Sequence, residues 1–364
     1  MSAYFIVSNK HEALVSASGK GDIGEMTRLI REEADVNHVL YVMHEGAMRG
    51  LSTPLTSASL GGREQAVTLL LDSGADAEKP EAFRGRTAMH HAAERGHVRV
   101  MDILRTKGAR IDARDKEGCT PLGRAVSYGC KEATSYLLDH GADANAADEC
   151  GWTPLMSAAQ KKDLHVVDVL IRRGADPNLQ TNRLAEEEGQ TALHTSASDG
   201  FYDIVRRLLD GGADLNLVDK RRMSPLFFAA QEGHLKIVRL LVNKGANIRL
   251  SSDIGLAPVH IAALCGKNEV VEYLIEKGAT FETVGTLAKA CKCCGAPDAT
   301  LKCALCLTVY YCCKACQVKD WKEGVESRHK VQCKSLIEMK ARHTENAKKE
   351  IEDKLAGLGM HSGA

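Results

Sequence analysis

The sequence predicts a mostly α-helical solenoid of about eight short repeats, followed by a small cysteine-rich module and a C-terminal helix. Two observations predict it. Phrases built around Thr-Pro-Leu recur every 33 or so residues as far as residue 285. Nine of the thirteen cysteines then fall between Cys291 and Cys333. A period near 33 marks a supersecondary unit that buries its apolar face only against its neighbours. Cysteines at that density mark metal ligands or disulfides.

The repeat starts are Thr53-Pro-Leu, Thr87-Ala-Met-His, Thr120-Pro-Leu, Thr153-Pro-Leu, Thr191-Ala-Leu-His, Ser224-Pro-Leu and Ala257-Pro-Val-His, spaced 34, 33, 33, 38, 33 and 33 residues apart. Thr caps a first helix through its hydroxyl, and Pro at the next position has no N–H to lose. Small pairs such as Ala92-Ala93, Ala158-Ala159, Ala229-Ala230 and Ala262-Ala263 let that helix lie close to its neighbours. Aliphatic stripes, Val67, Leu70, Leu71 and Ile237, Leu240, Leu241, give a second helix its core face. About twenty residues after each start comes Gly-Ala-Asp or a variant, at Gly74, Gly108, Gly141, Gly174, Gly211, Gly245 and Gly278. That glycine ends the second helix, and the chain turns out into a hairpin before the next copy. A degenerate copy precedes these seven: Leu14-Val-Ser-Ala-Ser echoes Leu55-Thr-Ser-Ala-Ser, and Glu33-Ala-Asp stands for Gly-Ala-Asp.

Residues 10–285 closely resemble the ankyrin repeat family. The resemblance implies a curved stack of helix-turn-helix-hairpin units whose concave surface binds other proteins. The family's contact positions, carried over to this sequence, are His91 and Arg95, Arg124 and Tyr128, Lys161, Phe228 and Glu232, then Ile261 and Leu264. Phe228, Ile261 and Leu264 form an apolar trio on adjacent repeats. Three roles are open to it: packing the end of the array, touching the cysteine-rich module, or holding a partner. The resemblance also gives His90, His194 and His260 a structural role, bonding nearby backbone and threonine groups. His97 and His234 in the Gly-His turns take the same part.

Departures from the period single out three places. Eight additional residues around Tyr41 to Met48 and five near Leu184 to Glu188 read as loops. Glu186-Glu187-Glu188 is a solvated tip, or a receiver for a basic partner. Lys162-Asp163 replaces the usual Gly-His of the interhelical turn, which should be strained or loosened there. Cys119, Cys130, Cys150 and Cys265 are isolated and have no Cys-His-Asp spacing about them, so they read as buried or bystander thiols.

Cys291-x2-Cys294, Cys303-x2-Cys306, Cys312-x3-Cys316 and His329-x3-Cys333 form four knuckles, each presenting two soft ligands to one metal ion. Eight ligands make two tetrahedral Zn2+ sites. Filled by protein ligands, both would be structural rather than catalytic. With few large apolar residues, residues 291–333 should fold only with metal bound. The phrase Tyr311-Cys312-Cys313-Lys314-Ala315-Cys316-Gln317-x3-Trp321 with His329-x3-Cys333 resembles the MYND-type zinc finger. That resemblance implies cross-bracing, with Cys291, Cys294, Cys312 and Cys316 on one zinc and Cys303, Cys306, His329 and Cys333 on the other. Cys293 and Cys313 are set aside because they break the knuckle spacing. The segment from Trp321 to His329 is longer than in many members. Gln317 and Trp321 are the positions carried over as contacts for a proline-containing peptide.

The domain plan is an N-terminal segment 1–9, repeats 10–285, a linker 286–290, the finger 291–333 and a C-terminal helix and tail 334–364. Lys plus Arg and Asp plus Glu both number 48, so net charge demands no polyanionic partner. No run of eighteen apolar residues exists, and Met1 to Lys10 carries no export signal, so no membrane association or export is expected. The leading expectation is a non-enzymatic, monomeric, cytoplasmic or nuclear adaptor that binds proteins or peptides and no small-molecule substrate. A transcriptional coregulator touching nucleic acid is the alternative, resting on thirteen Lys or Arg against six Asp or Glu between Thr286 and Lys349. An accessory subunit of a modifying enzyme ranks below it.

Overall fold

In a computed structural model of the chain, residues 10–44, 47–182 and 189–280 are described. The linker, every finger ligand, Gln317, Trp321, the stretch 334–364 expected to hold a C-terminal helix, and Glu186-Glu187-Glu188 lie outside these residues. The described residues divide into two compact units. One runs to Ala197 and resumes at Phe201–Lys220; the other comprises Ser198–Gly200 and the residues from Arg221 onward.

In the first unit the helices are α1 Lys10–Lys20, α2 Ile23–Arg31, α3 Pro54–Leu60, α4 Glu64–Asp72, α5 Ala88–Glu94, α6 Val98–Thr106, α7 Pro121–Ser127 and α8 Lys131–Asp139. They continue with α9 Pro154–Gln160, α10 Leu164–Arg172, α11 Ala192–Ser198, whose last residue belongs to the second unit, and α12 Tyr202–Asp210. Inner helices pack in sequence, α1 on α3, α3 on α5, α5 on α7 and α7 on α9, and the outer row follows the same order from α2 to α12. The second unit has two such pairs, α13 Pro225–Glu232 with α14 Leu235–Asn243 and α15 Pro258–Leu264 with α16 Asn268–Glu276.

Capping chemistry explains where the inner helices start. Thr53, Thr120, Thr153 and Ser224 accept the amide of the third helical residue, at 3.1, 3.3, 3.2 and 3.3 Å, each followed by Pro. Where Ala follows instead, histidine supplements the threonine: His90 Nδ1 lies 2.9 Å from Thr87 Oγ1, and His194 Nδ1 is 2.9 Å from Thr191 Oγ1. His90 Nε2 reaches forward 3.0 Å to the Cys119 carbonyl. His97 Nε2 meets the Leu60 carbonyl at 3.2 Å, and His234 Nε2 meets that of Ser198 at 2.8 Å. These histidines serve the structural role expected of them.

The apolar core is narrower than the stripes suggest. Val67 and Leu70 are fully buried and Leu71 only half, while Ile237, Val238 and Leu241 are buried and Leu240 half. Hairpin tips in the first unit are tied by asparagine. Asn37, Asn145 and Asn178 each accept the amide of Asp76, Asp176 or Asp214, at 2.8, 2.7 and 2.7 Å. Each donates onward to the carbonyl of Gly74, Gly174 or Gly212.

Two departures are resolved physically. The insertion read as a loop around Tyr41 to Met48 is instead a β-hairpin, β1 Leu40–His44 antiparallel to β2 Ala47–Ser52, with a register shift between Leu40 and Tyr41. Eight added residues suffice to extend the existing hairpin arms into a ladder that satisfies their own backbone groups. At the Lys162-Asp163 turn, Lys162 takes φ 59°, where Gly96 and Gly200 take 74° and 80°. The left-handed conformation is therefore imposed on a residue with a Cβ. Two contacts offset it: Lys162 Nζ sits 4.3 Å over the Phe201 ring, and Asp163 caps α10 by accepting from Val166 N at 3.2 Å.

Candidate functional site

The carried-over contact positions of α5, α7 and α9 form two rows, because i and i+4 share a helix face. His91 and Arg124 make the first row, with Ser157, which was not among the carried-over positions, at the equivalent place on α9; Arg95, Tyr128 and Lys161 make the second, at the C-cap of each helix. The rows differ sharply in exposure.

First-row side chains are turned to internal partners. Arg124 is buried; its Nε and Nη2 donate to Asp115 Oδ2 at 3.0 and 2.5 Å, and Nη2 also reaches Glu117 Oε2 at 2.5 Å. Burial opposes the guanidinium charge, but the bonds with Glu117 and Asp115 outweigh it and raise its pKa. Arg86, from the preceding hairpin, donates Nη1 to Glu94 Oε2 at 2.7 Å and stands 3.7 Å from Asp115 through Nε. His91 Nδ1 lies 3.3 Å from Glu94 Oε1. Burial works against the Glu94 charge, yet His91 and Arg86 hold its pKa below the usual carboxylate value. Ser157 is buried and accepts from Trp152 Nε1 at 2.9 Å.

Second-row side chains face solvent. Arg95 and Lys161 are exposed, and Tyr128, at 53% exposure, is the most exposed large hydrophobic side chain among the described residues. In the second unit the apolar trio behaves differently from an open patch. Ile261 is buried, and Phe228 and Leu264 are half-buried. The Phe228 ring meets Phe227 edge-on at 6.2 Å.

The residues missed in the sequence are Arg86, Glu94, Asp115 and Glu117, which bind one another rather than a ligand. A signal was present. One acceptor stands five or six residues before each helix cap and ties the hairpin turn: Glu81 takes the amides of Phe83 and Arg84, Asp115 those of Glu117 and Cys119, and Asp148 those of Cys150 and Trp152. Asp115, Glu117 and Cys119 place ligand atoms within 4.8 Å of one another. Arg124 already neutralises both carboxylates, and burial pushes the Cys119 thiol up to about 11, so the trio is an ion-pair network and no thiolate is poised there. Burial raises the Cys130 thiol as well.

On the outer helices, a groove of about 390 Å³ is lined by Leu164, His165, Asp168, Asp203, Arg206, Arg207 and Asp210. Asp168 there is bridged by Arg207 at 2.7 Å and by Arg172, which hold its pKa down. The groove is largely self-neutralised.

Overlapping matches to the ankyrin repeat family, described as ankyrin repeats in three copies, cover residues 14–115, 58–148, 107–181, 155–252 and 193–285. The chain belongs to the ankyrin repeat family. The MYND finger family matches residues 291–333 of this ankyrin-repeat chain, and MYND fingers bind zinc. A stretch of 117 residues is 37% identical to the human "Ankyrin repeat and KH domain-containing protein 1", covering 32% of this chain and only 4% of that protein. A putative ankyrin repeat protein of fowlpox virus (strain NVSL) is 30% identical over 120 residues, 33% of either chain. Among solved structures, the ankyrin repeat domain of Bcl-3, described as a unique member of the IkappaB protein family, matches at TM-score 0.53 and 28% identity, covering 62% of this chain and 97% of that one. Ankyrin repeats and MYND fingers are protein-interaction modules.

Proposed function

We propose that the chain is a non-enzymatic, monomeric adaptor in the cytoplasm or nucleus that joins two proteins, one on the inner-helix face of its ankyrin repeats and one on its finger. The observation that carries this is the contrast between the two rows. His91, Arg124 and Ser157 are engaged internally, whereas Arg95, Tyr128 and Lys161 hold their hydrogen-bonding and apolar capacity outward.

In this reading the finger holds two structural zinc ions. Cys291, Cys294, Cys312 and Cys316 bind one, and Cys303, Cys306, His329 and Cys333 the other. Seven thiolates and one imidazole suit zinc in closed tetrahedral sites. The ions supply folding energy, and Gln317 and Trp321 meet a proline-containing peptide. Metal analysis of the purified chain is expected to give two zinc ions, and a value near one or zero would overturn the eight-ligand assignment.

Affinity capture compares the full chain with two full-length variants, one with Tyr128→Ala and Lys161→Glu, the other with Cys312→Ser. Each is expected to lose a different set of partners. Loss of the same set in both contradicts two separate surfaces, and turnover of a captured partner by the chain contradicts the adaptor reading.

A further inference from the structure

Resting on the reading of the inner-helix face as an interaction surface, the second row specifies what it holds. Arg95, Tyr128 and Lys161 occupy one equivalent position, the C-cap, on three successively packed helices. The row therefore reads cation, aromatic ring, cation. Neither Arg95 nor Lys161 forms an ion pair with another described residue, although acids are close by. Glu94, beside Arg95 in sequence, is taken by Arg86 at 2.7 Å, and Glu117 is taken by Arg124 at 2.5 Å. Arg95 acts on Glu94 only through its charge, without an ion-pair contact, so two exposed cations and an exposed ring keep their contact capacity for a ligand.

Spacing sets the length of a ligand. Packed helices lie about 8–10 Å apart, so Arg95 and Lys161 are roughly 16–20 Å apart across two steps. An extended peptide rises about 3.3 Å per residue, which matches that span in five or six residues. We infer that this row binds an extended acidic peptide, with carboxylates five or six residues apart that pair with Arg95 and Lys161 and a central aromatic side chain that stacks on Tyr128. The ring adds offset stacking, and the two charges fix the register. Nucleic acid fits the row less well, because only two cations are presented, too few to follow a continuous phosphate backbone.

The test titrates the full chain with the fluorescein-labelled peptide Glu-Gly-Ser-Tyr-Ser-Gly-Glu, followed by polarisation at low salt up to millimolar protein. Controls replace both glutamates with glutamine or with lysine, and a labelled thymidine oligonucleotide serves as the nucleic-acid arm. The glutamate peptide should bind at least about 10-fold more tightly than its glutamine form and weaken as salt screens the charges. Arg95→Glu with Lys161→Glu should abolish that preference and make the lysine peptide the better ligand. Both residues are exposed, so the variant's circular dichroism and melting should match the parent's. Equal binding of glutamate and glutamine peptides, no binding at all, an unchanged preference in the charge-reversed variant, or tighter binding of the oligonucleotide that this variant loses would each overturn the inference. Equal peptide binding that Tyr128→Ala removes would still leave the face as an interaction surface, so the two readings fail separately.

Discussion

Asp115 and Arg124 form a buried ion pair in which one carboxylate oxygen accepts two guanidinium hydrogens, at 3.0 and 2.5 Å, with the Asp115 side chain fully shielded from solvent. Its other oxygen takes the amides of Glu117 and Cys119. Removing one member of a buried pair strands the other charge, which costs about 3–5 kcal/mol, whereas replacing both by apolar groups is often close to neutral. Arg124 keeps its bond to Glu117 Oε2 at 2.5 Å, so Asp115→Ala should lower urea stability by about 2–3 kcal/mol, through the weakened guanidinium pairing and the unpaired amides of Glu117 and Cys119. Adding Arg124→Met should recover the part that belongs to the charge and leave the part that belongs to the two amides. Equal or greater instability of the double variant would show that the pair stabilises through its charges.

His90 makes stability depend on acidity. Burial pushes its pKa from 6.5 down to about 4, against a smaller opposing effect from its bond to the Cys119 carbonyl. The folded chain holds the imidazole neutral while the unfolded chain protonates it. Between about pH 6.5 and about 4 the unfolded state thus binds more protons, and stability falls as pH falls. Unfolding followed by circular dichroism at several pH values should show this slope. His90→Gln should be less stable at pH 7.5, by about 1–2 kcal/mol for the lost cap and carbonyl bonds, but flatter below pH 6.5. An unchanged slope would assign the acid sensitivity to other groups.

Asp112 occupies the place that Asn37, Asn145 and Asn178 fill elsewhere, and accepts the Asp143 amide at 3.2 Å through both oxygens. A carboxylate cannot donate to the Gly141 carbonyl as the amide of Asn145 does to Gly174. Partial burial and the Asp143 charge raise its pKa, the amide bond notwithstanding. An acid with a raised folded pKa contributes most when protonated, and its contribution declines as pH rises through the carboxylate range. Asp112→Asn should add about 0.5–1.5 kcal/mol at neutral pH and less at pH 3, read by thermal unfolding. A destabilised variant at pH 7 would show that the carboxylate is preferred.

The repeats were legible because each step has a local cause: a hydroxyl cap, a proline, a small pair and a terminating glycine. The Lys162 turn was legible for the same reason, since a missing glycine leaves φ 59° on a side chain. The hairpin of β1 and β2 was not, because an insertion's length says nothing of whether its arms pair. Which of the carried-over positions lie open to solvent was half legible. Helical spacing places His91, Arg124 and Phe228 on the inner face, but burial depends on what the neighbouring repeat offers. Arg124 meets Asp115, and Ile261 is only 8% exposed. The Arg86–Glu94 and Arg124–Asp115 pairs join residues 8 and 9 positions apart on different elements, beyond the reach of helical spacing.

Ala257 leaves α15 without the hydroxyl that caps its relatives. Its amide donates to His260 Nδ1 at 3.0 Å, as those of Thr87 and Thr191 do to His90 and His194, at 3.2 and 3.1 Å. In those two repeats the threonine hydroxyl is a further 2.9 Å partner for the same ring nitrogen. The local geometry at Ala257 already matches a threonine cap: φ −83° and ψ 166°, against −83° and 172° at Thr87. A threonine at an N-cap is worth about 1 kcal/mol over alanine. Ala257→Thr should therefore raise the melting temperature of the second unit, with stabilisation of about 0.5–1.5 kcal/mol and the His90 acid slope unchanged. The added methyl and hydroxyl enter a buried position, 3% exposed, so a crowded site would reverse the sign. A lower melting temperature would mean that this repeat has closed around alanine, and that the missing cap is part of how α15 packs on α13.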